Sequence, residues 1–291
     1  MEEIQHSHVQ VRGVKLHVAQ IGTGPKVVVF LHGFPEIWYS WRQQMIAVAK
    51  AGYRAIAIDF RGYGLSDHSP EPEKTTFKNM PDLIFQAFLV GKDAGVFPAY
   101  ILCASCPEKV SGIITMGVPF LLPGPSIQII TDNLPKGFYT LRWKEPGRAE
   151  ADFGRFDAKT VIRNIYILFS GSELQIAADD KEIMDFVDPS TPLPPWFSEE
   201  DLSVYAGLYE NSGFRTAFKG PLQSMETDCG ITDPKITAPA LLIMGEKDYV
   251  LKLPGMEDFV RSRQVKHFMP IWKSSSWQKG TTLFKNNFQS R

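Results

Sequence analysis

Net charge, cysteine and long apolar runs are all scarce in this sequence. The formal net charge is −1, which gives no electrostatic case for binding nucleic acid or an anionic membrane surface. No apolar run reaches membrane-spanning length, and residues 1–4 lack the basic and apolar stretches of a signal peptide. We therefore expect a cytoplasmic protein with no nucleic-acid or membrane partner.

Cysteine occurs three times, at Cys103, Cys106 and Cys229. The first two form a C-x-x-C pattern, which can mark a redox site. They fall within a predicted helix and not at its start, where a redox pair would be activated. The pattern therefore favours ordinary packed thiols.

The sequence does contain short apolar runs that alternate with helix-compatible segments. A composition of 44% hydrophobic residues can bury a large core as one domain with an insertion. The alternation predicts an α/β fold, with a mostly parallel sheet covered on both faces. Predicted strands lie at 26–31, 53–58, 87–90, 110–116 and 240–244, and predicted helices at 41–51 and 96–105.

One segment carries the chemistry. Residues 90–95, VGKDAG, have the G-x-nucleophile-x-G spacing of a sharp strand-to-helix turn. Gly91 and Gly95 suit a backbone too tight for a Cβ, so Asp93 would be thrust out above the sheet. A carboxylate there can attack a carbon electrophile by displacement and form an ester with the enzyme, whereas a hydroxyl would suit acyl transfer. The competing interpretation is an ordinary loop.

More than a hundred residues between the strands at 110–116 and 240–244 do not continue the alternation. Helix formers at 142–168 and 179–187, and a capping pattern at 198–201 that opens a helix to 209, predict a helical insertion. Such a lid would exclude water from an apolar pocket. The expected division is a first core part at 1–121, a helical lid at 122–235 and a second core part at 236–291.

Four motifs together resemble the soluble epoxide hydrolases of the plant type, which have the α/β-hydrolase fold. The resemblance runs over about residues 9–270. The motifs are HGFPE at 32–36 with Trp38, RGYGLSD at 61–67, the Asp93 turn, and GEKD at 245–248.

The resemblance implies a two-step hydrolysis of a small apolar epoxide to a vicinal diol. Asp93 would open the ring while Tyr139 hydrogen-bonds the oxygen. A histidine oriented by Asp248 would then activate water to hydrolyse the ester. Backbone N–H groups of Phe34 and Ala94 would form the oxyanion hole. No metal or organic cofactor is expected, and the chain would be a monomer or a homodimer.

Further positions are assigned to the substrate pocket by the same resemblance: His32, Gly33, Pro35 and Trp38. In the family the histidine shapes the oxyanion turn and is not the base. Two of the catalytic assignments have structural alternatives. Tyr139 could be a core residue of the lid, and the acid that matches Asp248 could cap a turn.

The catalytic histidine of the family pattern is absent. The last histidine is His267, which comes before the expected final strand, and residues 271–291 resemble no hydrolase ending. If one G is restored before the codon of Ile271, the shifted codons permit Asp-Leu-Glu and, later, Glu-Gly-Asn-His, with the histidine at the place of Thr282. We therefore expect a frame-shifted ending with the C-terminal strand and helix altered or missing, and very low turnover.

Two other departures concern the pocket and the sheet. Residues 80–84 leave too little chain for a full helix before the strand at 87–90, and Leu222 stands where a second oxygen-binding tyrosine is expected.

Two alternative functions remain. Haloalkane dehalogenases also use an aspartate at the position of Asp93, but they carry a tryptophan where Ala94 stands. A non-catalytic protein that binds a small apolar ligand is the remaining alternative.

Overall fold

The computed structural model describes residues 3–68, 86–122, 124–173, 175–218, 229–262 and 264–277. In this part of the chain, one eight-stranded sheet has the order β1-β2-β4-β3-β5-β6-β7-β8. Its strands are β1 Gln5–Val11, β2 Val14–Ile21, β3 Val27–Leu31, β4 Arg54–Ile58, β5 Ala87–Lys92, β6 Val110–Met116, β7 Ala240–Gly245 and β8 Trp272–Trp277.

The sheet is parallel from β4 to β8 and antiparallel at its other edge, where β1 pairs with β2 and β2 with β4. The five predicted strands are all present. Sequence patterns revealed neither β1 nor β2. Strand β1 is exposed along nearly its whole length and carries no apolar run. In the parallel part, the carboxyl ends of β3, β5 and β7 meet at one edge, where side chains from all three can approach one another.

Helices α1 (Arg42–Lys50) and α2 (Val96–Ser105) lie close to the predicted ranges. Helix α2 packs against β5 and β6 and buries eight of its ten residues, including Phe97 and Leu102. Each large apolar side chain buried in this way stabilises the fold by about 1.5–3 kcal/mol. This packing fixes the turn that joins β5 to α2.

Five helices lie in the described chain between β6 and β7, and we call residues 125–218 the helical segment. The predicted capping residue Ser198 does begin a helix, and its side chain accepts the N–H of Asp201 in a capping box. The prediction of a helix at 179–187 is wrong in extent, since only a 3-10 turn forms at Ile183–Phe186. The helices are α3 Pro125–Asp132, α4 Tyr139–Lys144, α5 Arg148–Phe153, α6 Ala158–Ser170 and α7 Glu199–Ser212, and residues 215–218 are also helical.

Polar contacts join the helical segment to the sheet region. Asp201 on α7 accepts hydrogen bonds from Arg42 on α1, at 2.6 Å, and from the Tyr39 hydroxyl, at 3.1 Å. The Tyr63 hydroxyl donates to the carbonyl oxygen of Ala217. The division of the chain into a core and a lid stays a prediction. Among the helices of the described ranges, none is long and apolar enough to cross a bilayer.

At the carboxyl end of the described chain, helix α8 (Met256–Arg261) precedes the edge strand β8. Strand β8 pairs with β7 through its backbone, although its sequence is WKSSSW and the side chains of Lys273, Ser274 and Ser275 are exposed. The altered strand is therefore present, but polar where an apolar strand was expected. The predicted helix alterations at 278–291 and 80–84, and Leu222, lie outside the described residues.

Candidate functional site

The turn after β5 has the geometry of a strained elbow. Asp93 has φ of +52°, a left-handed conformation that costs energy for a residue with a side chain. A Cβ on Gly95 would lie 2.3 Å from the carbonyl oxygen of Leu31, and one on Gly91 would lie 2.7 Å from that of Gly95. Only glycine therefore fits beside this turn, which lifts Asp93 above the carboxyl end of the sheet.

The main chain holds the Asp93 carboxylate. The Phe34 N–H donates to Oδ1 at 3.0 Å, and the Ala94 N–H also donates to the carboxylate. Burial raises the pKa of Asp93 above its usual value, while the two amides and the nearby ammonium of Lys92 oppose the rise. Gly33 permits the approach, because a Cβ there would lie 2.4 Å from Asp93 Oδ1.

Asp93 faces a cavity of about 210 Å³ between the sheet edge and the helical segment. Its walls are mainly apolar, which suits a small apolar molecule. Apolar lining residues include Phe97, Leu121, Ile130, Phe138, Trp143, Ile165, Phe169, Phe218 and Leu253, and the ionisable ones are Glu36, Lys92, Asp93, Tyr139, Tyr166, Asp248 and Tyr249.

Two phenols meet at this cavity. The Tyr139 hydroxyl on α4 lies 2.8 Å from the hydroxyl of Tyr249, which follows β7. Burial raises the pKa of both side chains, and the charge of Asp93 raises them further, so both phenols are protonated at neutral pH. The site therefore pairs a carboxylate with two neutral hydrogen-bond donors.

Asp248 also lines the cavity and is buried. Its Oδ1 accepts the N–H of Val250 at 3.0 Å, capping the 3-10 turn Tyr249–Lys252. The Asp248 carboxylate thus caps a turn, as the alternative interpretation predicted, and it also faces the cavity that contains Asp93.

A buried ion pair lies beside the elbow. Lys92 Nζ is 2.7 Å from Glu36 Oε1, and the two side chains are 2% and 3% exposed. Both residues line the cavity. Both residues belong to motifs in the sequence, Glu36 to HGFPE and Lys92 to the Asp93 turn, but no role was predicted for either. Their position within these motifs is the signal that could have identified them.

Three of the predicted pocket residues do not line the cavity, whereas Pro35 does. His32 is fully buried beneath it, where Nδ1 donates to Gly33 O at 2.8 Å and Nε2 accepts the Phe60 N–H at 3.1 Å. Gly33 contacts Asp93 from behind. Trp38 turns away and packs its ring 4.6 Å from that of His6. None of these three residues therefore forms part of the cavity wall.

None of the six histidines, all of which lie in the described ranges, lines the cavity. His6 and His17 form a chain with Asp59, at 2.9 Å and 2.8 Å, on the β1–β2 side of the sheet. His267 is exposed after α8. Across the same described ranges, no three His, Cys, Asp or Glu side chains are grouped as metal ligands.

Comparisons of this chain with known proteins all point to the same family. A family model described as the alpha/beta hydrolase fold matches residues 26–268. "Epoxide hydrolase 2" of Siraitia grosvenorii is 34% identical over 302 residues, which cover 98% of this chain and 94% of the relative. "Bifunctional epoxide hydrolase 2" of Rattus norvegicus is 32% identical over 298 residues, 93% of this chain and 51% of the relative.

Solved structures agree. A crystal structure of an epoxide hydrolase from Vigna radiata superimposes with a TM-score of 0.87 at 31% identity, over 97% of this chain and 92% of that one. A mutant of potato epoxide hydrolase gives 0.84 at 28% identity, over 98% and 95%. With the fold, the elbow and nearly full-length similarity in agreement, the chain belongs to the plant-type epoxide hydrolases of the α/β-hydrolase superfamily.

Proposed function

We propose that this protein opens the ring of a small apolar epoxide through covalent attack by Asp93 and that it releases the diol slowly. The observation that carries the proposal is the position of the Asp93 carboxylate, which is held by the Phe34 amide at 3.0 Å and faces an apolar cavity. A carboxylate in such surroundings is a competent nucleophile towards strained carbon.

In the first step, the Asp93 carboxylate forms a bond to one epoxide carbon as the carbon–oxygen bond of the ring breaks. The electron pair stays on the ring oxygen, and Tyr139 hydrogen-bonds that oxygen and donates a proton to it. The raised pKa of Tyr139 keeps this proton available up to alkaline pH. The product of the step is an alkyl ester of Asp93.

In the second step, water attacks the carbonyl carbon of that ester, and the bond from this carbon to the alkyl oxygen breaks. One proton of the water goes to the departing oxygen, which completes the diol, and the other returns to the Tyr139 phenolate, so that the Asp93 carboxylate is regenerated. The oxyanion that forms derives from a carboxylate oxygen already held by the main chain, so the amides of Phe34 and Ala94 stabilise it without rearrangement. Asp248 faces the same cavity and is the acid proposed to orient a base. The helical segment acts as a lid that keeps bulk water out.

The second step needs a general base, and within the described chain no histidine lines the cavity to serve as one. His32, which lies in the HGFPE motif, uses both ring nitrogens in hydrogen bonds to the main chain. Loss of a general base typically slows a reaction by about 10² to 10⁴. Because the loss falls on the hydrolytic half, the ester of Asp93 accumulates.

Intact mass spectrometry after incubation with styrene oxide, an aryl epoxide, tests the proposal. We expect a slow gain of one epoxide mass, located on Asp93 by peptide mapping, with little diol. The control Asp93→Asn keeps the shape of the side chain and should show no adduct. Rapid diol formation without an adduct would contradict the missing-base argument, and an adduct on another residue would refute the assignment of the nucleophile.

A second candidate function is binding of a small apolar ligand without turnover, which the absence of a histidine from the cavity lining favours. Thermal-shift measurements with epoxides and with their diols separate the two. A binder is stabilised reversibly by both, whereas the proposed reaction gives an irreversible shift with epoxides only.

A further inference from the structure

We propose that Tyr249 is the second hydrogen-bond donor to the epoxide oxygen and that it acts with Tyr139 as one paired donor. The inference rests on the ring-opening function proposed above. Leu222 occupies the position where a second tyrosine was expected from sequence, and nothing in the sequence motifs pointed to Tyr249. The structure brings its hydroxyl within 2.8 Å of the Tyr139 hydroxyl in the cavity that contains Asp93.

The two phenols come from different parts of the fold. Tyr139 begins helix α4 in the helical segment, whereas Tyr249 opens the 3-10 turn that follows strand β7. The pair is consequently assembled only when the helical segment sits over the sheet edge.

Neighbouring groups fix the position of Tyr249. Asp248 caps the turn by accepting the Val250 N–H, which sets the backbone from which Tyr249 projects. The Tyr249 ring packs 5.8 Å from the ring of Phe169 and 6.1 Å, edge to face, from that of Tyr139. A ring held on two sides directs its hydroxyl with little further loss of side-chain entropy.

Two hydroxyls 2.8 Å apart can both reach a single acceptor oxygen at ordinary hydrogen-bond length. Without ligand, one phenol donates to the other, and the second hydrogen remains available. When the carbon–oxygen bond of the epoxide breaks, the ring oxygen takes the proton of one phenol, and the other phenol donates to the phenolate so formed. Water later returns the proton, so the step balances without another reactant.

The test compares Tyr249→Phe with Tyr139→Phe, and Tyr209→Phe is the matched control. Tyr209 is also a buried phenol, but it lies on α7 and is not among the cavity-lining residues. The first measurement is the rate of Asp93 adduct formation with styrene oxide. The second is the calorimetric affinity for 2-phenyltetrahydrofuran, an ether that accepts hydrogen bonds but does not react.

We expect Tyr249→Phe to slow adduct formation about 10- to 100-fold, because it removes a hydrogen bond to a developing charge. It should weaken ether binding about 3- to 10-fold, and Tyr209→Phe should change neither value. The double variant at 139 and 249 should lose less than the product of the single losses, because the two hydroxyls act together. If Tyr249→Phe does not fold, judged by its thermal midpoint, Tyr249→Met takes its place.

A Tyr249 variant with wild-type adduct rate and ether affinity would overturn the inference. The two readouts also separate it from the proposed function. If the wild-type protein forms no Asp93 adduct, the ring-opening function fails, while a selective loss of ether affinity in Tyr249→Phe still supports the paired donor. If the wild-type protein does not bind the ether, the paired donor is refuted.

Discussion

Lys92 and Glu36 form an ion pair that is nearly inaccessible to solvent, with Nζ 2.7 Å from Oε1, immediately beside the proposed nucleophile. The ammonium lowers the pKa of Asp93, and the carboxylate of Glu36 raises it. Burying both charges costs desolvation energy, which their attraction offsets only while both are present. Removing either member alone would therefore leave the other charge buried without this compensation.

Breaking this pair should be costly. Lys92→Met leaves the Glu36 carboxylate buried without its ammonium, and we expect the free energy of unfolding in urea to fall by about 3–5 kcal/mol. Adding Glu36→Gln should recover much of the loss. The control Lys252→Met breaks an exposed pair with Glu173, at 3.2 Å, and should change stability by about 0–1 kcal/mol. Equal effects at the two sites would contradict this account.

The raised pKa of Asp93 predicts a pH dependence of the reaction. Only the carboxylate attacks, so the adduct rate with styrene oxide should fall as the pH drops through a midpoint above the ordinary aspartate value of 3.8. No loss is expected at alkaline pH up to about 10, because the pKa of Tyr139 is raised as well. A rate that falls only below the ordinary value would show that burial does not control the ionisation of Asp93.

The same shift has a consequence for stability, with a definite sign. A carboxyl whose pKa is higher in the folded state binds its proton more tightly there, so stability falls as the pH rises through that window. Asp93→Asn removes this cost and keeps an acceptor for the Phe34 amide. We expect the variant to be more stable than the wild type at pH about 7.5, with a smaller difference at pH about 4.5. Urea unfolding at the two pH values measures the change.

Gly33 is predicted to be essential for the position of Asp93. A Cβ at Gly33 would lie 2.4 Å from both Cβ and Oδ1 of Asp93, so Gly33→Ala must displace Asp93, the proposed nucleophile. We expect adduct formation to fall about 100-fold, as for other small misplacements of a reacting group. The matched control Gly207→Ala, on helix α7, meets no atom within 4 Å and should react normally. Thermal midpoints separate misplacement from unfolding.

Restoring the ending should restore hydrolysis. The shifted codons permit a histidine at the position of Thr282, so residues 271–291 are replaced by the permitted sequence that carries this histidine. We expect diol release to increase about 10²- to 10⁴-fold, the usual contribution of a general base. The same rebuilt chain with glutamine at that position should form the Asp93 adduct and stop there. Fast turnover with glutamine would show that another base is present.

Much of the sheet could be predicted from the sequence because its central strands are short, continuously apolar and separated by helical patterns. The strand at 110–116 and the helix at 96–105 have the same bounds in the structure. Strand β1, the outer strand of the hairpin with β2, is exposed and carries too few apolar residues to be recognised in this way. Hydrophobic periodicity reports burial and therefore finds core strands best.

The elbow was recognisable because its chemistry is contained in six consecutive residues. Tyr249, by contrast, meets Tyr139 across 110 positions of chain, and no local pattern shows which cavity a tyrosine after a strand will face. The same limit applies to Trp38, which was expected in the pocket and packs beside His6. Contacts between distant segments depend on tertiary packing, which a local pattern does not contain.

The contacts that hold the Asp93 carboxylate come from the main chain of Phe34 and Ala94. Every amino acid except proline supplies the same N–H, so side chains at these two positions can be exchanged without removing that support. The walls of the cavity are thus free to diverge while the reactive centre keeps its geometry. Substitutions in the cavity wall can therefore change which molecules enter while the main-chain support of the Asp93 carboxylate is kept.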